Sequence, residues 1–182
     1  MGNYPSKWNR LFYFFLGLFI AGSFSMKWLE NDLVYNGDKI SIFGLELFYK
    51  PEKIMMILSG IDDKLKTILG YHLSFDFVFM AGCYPGIACL CMMAGEKVKN
   101  KNAKIFLRLL ACFQLLAWAF DVVENYYLFK WLATPVIGPE FGFYHTVVFS
   151  KWIVALAGFL FAAGWLFIIY LKKKTGHPKS AI

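Results

Sequence analysis

Four stretches of nearly unbroken apolar sequence dominate this chain, and each is about as long as a bilayer is thick. They run over residues 8–26, 73–94, 105–131 and 143–171. A spanning α-helix needs about 20 mostly apolar residues to cross a hydrocarbon core of roughly 30 Å. Within lipid, only helices and closed barrels satisfy every backbone polar group. A water-soluble bundle is excluded, because its helices would keep a polar stripe for solvent, whereas these carry Phe, Leu and Ile on their outward faces. Of the 182 residues, 59% are hydrophobic, against about 45–50% apolar in a soluble domain. The expected fold is an all-α membrane protein, a single domain built as a four-transmembrane-helix bundle with a long, partly structured outer first loop over residues 27–72.

The first stretch also has the look of a secretory signal, with Lys7 and Arg10 before it and Ala21-Gly22-Ser23 at its end. It is read here as a retained span. The net charge of +7 does not indicate a nucleic-acid partner, because the basic residues gather at the ends of apolar runs. Lys7 and Arg10 flank the first span. Lys97, Lys99, Lys101, Lys104 and Arg108 lie around the link between the second and third, and Lys172, Lys173, Lys174 and Lys179 follow the fourth. Between Lys27 and His72, by contrast, six lysines meet seven acids. Cytoplasmic flanks carry the excess of Lys and Arg, so both termini and the middle link are expected inside.

The first loop has its own local signals. Asn36-Gly37-Asp38 reads as a turn, and Lys39–Phe48 partly alternates, which suggests a short strand or hairpin. Pro51 opens a short helix with Ile54, Met55 and Leu58 on one side. Asp62-Asp63 caps the helix that leads into the second span. The four cysteines, Cys83, Cys89, Cys91 and Cys112, all fall inside apolar stretches and read as small core residues rather than as a disulfide framework.

The informative residues are those that hydrophobicity alone would exclude. Asp76 lies about one turn inside the second span, and Asp121, Glu124 and Asn125 lie toward the outer end of the third. An acid deep in a span costs roughly 2.5–3.5 kcal/mol on insertion scales, so three unpaired acids would cost as much as a domain's stability. Asp121, Glu124, Asn125 and Leu128 follow i, i+3, i+4, i+7 and share one helix face, and Gln114 extends that face inward. In the fourth span Lys151 shares a face with Ala155, Gly158 and Ala162, a small-residue pattern that marks close helix approach. Tyr144 falls on this face with His145 alongside, and Gly17, Ala21 and Ser25 form a second small stripe in the first span. The residues thus outline an outward-opening polar pocket of Asp76, Asp121, Glu124, Asn125, Lys151 and Tyr144, with His72 and His145 beside it. Three carboxylates against one lysine leave it at −2, which calls for a proton or a bound cation.

Three functions fit these residues. One is a pocket for a small amphipathic, lipid-like or cationic ligand, its polar end held by the carboxylates and its body lined by Phe75, Phe79, Trp118, Tyr126 and Tyr127, with Pro85 bending the second span to make room. A second is a membrane-embedded enzyme acting on a lipid-like substrate. It would use either paired carboxylates as acid and base or a divalent metal held by His72 and His145 with Asp76 and Glu124. The third is a structural or interaction subunit glued by interhelical salt bridges. No nucleophile motif, P-loop or HExxH occurs. The expected partners are the lipid bilayer and the small ligand, with a homo-oligomer left open.

Two resemblances attach to these residues. Asp76-Phe77-Val78-Phe79 paired with Asp121-x-x-Glu124-Asn125 resembles a pattern in uncharacterised bacterial four-helix membrane proteins, which implies a bacterial inner membrane. The whole-chain plan of four spans, a long first loop, an acid early in the second span and a lysine tail is similar to the EXPERA-type proteins, which include sterol isomerases and the sigma-2 receptor. That likeness implies intramembrane acids that meet cationic amines or sterol-like carbocations. Asp76 is the one acid here at a family position.

Overall fold

A computed structural model describes residues 6–174. Five α-helices carry the fold: α1 (Lys7–Glu30), α2 (Pro51–Gly60), α3 (Asp63–Lys97), α4 (Lys101–Ala133) and α5 (Phe141–Lys174). Four of them, α1, α3, α4 and α5, are long and apolar enough to cross a bilayer. The protein is therefore a multi-pass integral membrane protein with an all-α, four-helix bundle. Its helix ends follow from local chemistry. The Asp62 carboxylate accepts from the Leu65 N–H and starts α3. Asn100 caps α4 through the N–H groups of Asn102 and Ala103. Thr134, restricted by the proline after it, takes an extended conformation (φ −140°) and ends α4.

With 35 residues, α3 is about 52 Å long at 1.5 Å per residue. It outreaches the hydrocarbon core, and the first loop packs around its N-terminal end. That loop opens with a two-stranded hairpin, β1 (Val34–Tyr35) and β2 (Asp38–Lys39), in which Val34 faces Lys39 and Tyr35 faces Asp38. Asn36 (φ 52°) and Gly37 (φ 85°) both take left-handed conformations, as a two-residue hairpin turn requires. The expected strand over Lys39–Phe48 stops at Lys39. Ile40 and Ile42 do alternate inward, but Gly44 and Leu45 are then buried in succession and Gly44–Phe48 winds into a π-helix. The Ser41 hydroxyl accepts from the Gly44 N–H at its start. As expected, α2 begins at Pro51 and buries Ile54 and Leu58, but Ile57 rather than Met55 is the third buried residue.

Packing separates the interior into layers. At the loop end, Leu33, Ile54, Leu58, Leu69, Leu128 and Trp131 belong to one apolar core shared by the loop and the helices. At the other end Cys91, Ala94, Leu107, Leu110 and Ala162 form a second. On α4 the stretch between these cores is polar: Gln114, Asp121, Glu124 and Asn125 are all buried. Lys151, Gly158 and Ala162 are buried along α5, as their spacing predicts. The α1 stripe differs. Gly17 and Ala21 face outward, and Gly22 is the buried residue. Gly22 and Gly82 let α1 and α3 touch backbone to backbone: a Cβ on Gly22 would lie 2.7 Å from the Phe79 nitrogen, and one on Gly82 2.3 Å from the Phe19 nitrogen. The reading of every cysteine as a core residue is also corrected, because Cys112 lies on an exposed face of α4. Through Pro85, α3 continues as one helix.

Candidate binding site

The polar layer centres on Lys151, which is 5% exposed. Its ammonium donates to Asp121 Oδ1 at 2.6 Å, forms an ion pair with Glu124 and lies 3.7 Å from Glu46 Oε2. A buried lysine survives only with such partners, since removing one side of a buried pair costs about 3–5 kcal/mol. The i, i+3 spacing of Asp121 and Glu124 presents both carboxylates to α5 together. Asp121 accepts a second hydrogen bond at Oδ2 from the Tyr84 hydroxyl, at 2.7 Å. Asn125 turns the other way and donates through Nδ2 to Asp76. The sequence-predicted residues Asp76, Asp121, Glu124, Asn125 and Lys151 therefore meet in one layer.

Beside this layer lies a cavity of about 250 Å³, walled by α1, α3, α4, α5 and the π-helix. Asp76, Asp121, Lys151 and Glu46 reach it, while Glu124 and Asn125 sit behind its wall. Three carboxyl groups thus surround one ammonium and Asp76 adds a fourth nearby, and fully ionised the five groups would carry a net −3. Among the described residues, no cationic side chain lies within ion-pair distance of Asp76. Burial pushes the Glu46 carboxyl above the usual carboxylate range. The Lys151 ammonium opposes that shift and Asp121 adds to it.

No protein-family model, curated protein or solved structure matches the chain.

Other expected site residues are placed elsewhere. Tyr144 is fully buried, but it points under the loop: its hydroxyl donates to the Leu45 carbonyl at 3.3 Å, and its ring packs edge-on against Trp131 at 4.7 Å. It does not line the cavity. The proposed metal quartet does not assemble either. His145, one residue round the helix from Tyr144, is exposed with Nε2 3.3 Å from the Leu47 carbonyl, and Glu124 is taken by Lys151. Among the described residues no three His, Cys, Asp or Glu side chains converge as a metal group. Of the five aromatics expected to line the pocket, Phe79 does so, whereas Phe75 and Tyr126 face outward, Tyr127 joins the Trp131 cluster and Trp118 packs against Met80, Tyr84 and Ala117.

Two residues missing from the expected site belong to it. Glu46 is the only charged residue in the apolar run Ile40–Tyr49, a signal of the same kind that marks Asp76. Tyr84 follows Asp76 and Met80 at i, i+4, i+8, and both Met80 and Tyr84 are buried. The arrangement can hold positive charge at Asp76 and Glu46 while Lys151 keeps its closer ion pairs with Asp121 and Glu124, with Met26, Phe79 and Ala155 supplying apolar wall.

Proposed function

We propose that this membrane protein binds a small amphiphile with a cationic head group, with Asp76 as its counter-ion and Glu46 closing over it from the loop. The observation that carries this reading is a carboxyl that reaches the cavity and, among the described residues, is hydrogen-bonded only by an amide and has no cationic neighbour at ion-pair distance. Intramembrane acids are expensive unless something pairs with them. Asp121 and Glu124 are satisfied by Lys151; Asp76 is not. Ligand pockets usually span about 300–1,000 Å³, so 250 Å³ suits a head group and the first part of an apolar tail, the remainder reaching lipid. The similarity of plan to EXPERA-type proteins supports the reading at Asp76. The lysine and arginine clusters support cytoplasmic termini, with the loop and the cavity in the outer half of a bacterial inner membrane.

Asp76 is also the position that separates binding from folding, because substitutions at Asp121 or Glu124 would strip a buried lysine of its partners. Titration calorimetry in nanodiscs at neutral pH should show dodecylamine bound by the wild type. Asp76→Asn should weaken it about 10-fold or more, as loss of a charge-assisted contact of about 1.5–3 kcal/mol implies, with dodecanol affinity and unfolding midpoint unchanged. Equal dodecylamine affinity in both proteins would refute the assignment.

A further inference from the structure

One buried polar side chain at the cavity has no role so far. His72 stands one helical turn before Asp76 on α3, is fully buried, and lines the same cavity. Neither of its ring nitrogens has a hydrogen-bond partner among the described residues. Its Nε2 lies 3.7 Å from Oε1 of Glu30, beyond hydrogen-bond reach. Glu30 belongs to the last turn of α1, lines the cavity too, and is paired on its outer side with Lys27. Native interiors rarely leave such groups unsatisfied, and here an imidazole and a carboxylate lie side by side at ion-pair distance along the cavity wall with no hydrogen bond between them.

The chemistry of the pair selects what can bridge it from the cavity. A neutral imidazole offers one N–H donor, while an ionised carboxylate only accepts. A hydroxyl serves both at once, accepting from the ring N–H and donating to the Glu30 oxygen. A carbonyl would leave Glu30 unserved, and an ammonium would leave the imidazole N–H unserved. Residues at i and i+4 have Cβ atoms about 5–6 Å apart, so a hydroxyl at His72 and a cation at Asp76 are near enough to belong to one small head group.

We propose that the site takes an amphiphile headed by a vicinal amino alcohol, its ammonium at Asp76 and its hydroxyl bridging His72 and Glu30. This rests on the cation reading above and refines it.

The test compares dodecylamine with 1-aminododecan-2-ol by titration calorimetry on the full chain in nanodiscs at neutral pH. The amino alcohol should bind about 10-fold more tightly to the wild type. His72→Phe should bring it down to the level of the amine and leave the amine unchanged. Glu30→Ala, on the more exposed partner, should do the same and serves if His72→Phe does not fold. Equal affinities in the wild type, as expected if only water bridges the pair, overturn the proposal. So does a preference that survives both substitutions. Failure of either amine to bind at all, or indifference of both to Asp76→Asn, would instead sink the underlying cation reading.

Discussion

Glu46 links the site to pH. Its carboxyl is held above the ordinary range by burial and by Asp121, against the pull of Lys151. Glu124 on α4 and Asp76 on α3 complete the charges around it. A cation binds the ionised form, so below the raised value binding must expel a proton. Affinity for dodecylamine should climb as pH rises from the ordinary carboxylate range toward that value and level off above it. Glu46→Gln should flatten the climb, as read by calorimetry across a pH series. The sign for stability is opposite: over the same window the unfolded chain ionises Glu46 first, so the fold loses stability as pH rises. Much of this site is legible in the residues themselves. Asp121, Glu124 and Asn125 show a helical spacing that places them on one face, and Lys151 shows its small-residue companions. Tyr144 and His145 lie at suitable helix positions too, yet the loop claims them, and no helical period reveals where a loop folds back. Glu46 escapes the periodic reading for the same reason.

Among the elements, the contact of α1 with α3 is the closest approach of two backbones described above. The geometry makes Gly82 intolerant of even one methyl, because Phe19 of α1 already occupies the space. Gly82→Ala should destabilise the protein by about 1–3 kcal/mol, the usual cost of overpacking. Gly17→Ala, with nothing within 4 Å of the added carbon, should be neutral or gain up to about 1 kcal/mol from helix propensity. Denaturant unfolding in detergent micelles measures both. A stripe of small residues marks a face that permits close approach, but α1 has more than one such face. Which of them is used depends on the matching glycine in a segment some 60 residues away, and that pairing is not written in α1 alone. The hairpin turn is the opposite case, since Asn36-Gly37 carries its left-handed backbone preference locally.

For the whole molecule, the four apolar runs fix the architecture because lipid admits so few alternatives, and the basic clusters argue its direction. A cysteine introduced at Lys39 should react with a membrane-impermeant maleimide added to intact cells, and one introduced at Lys99 should react only after the membrane is breached. The reverse pattern would invert the topology and put the cavity in the inner leaflet. One consequence follows from the placement of the acids on different parts of the chain. Asp76 is rooted in a membrane helix and Glu46 in the loop that caps the bundle, so the proposed guest, engaging both, would work as a rivet. Without a guest the cap is fastened to the bundle by greasy side chains and the Lys151 tether; with one it is also stitched down through the guest, and occupancy would announce itself at the loop end of the bundle as a stiffer lid.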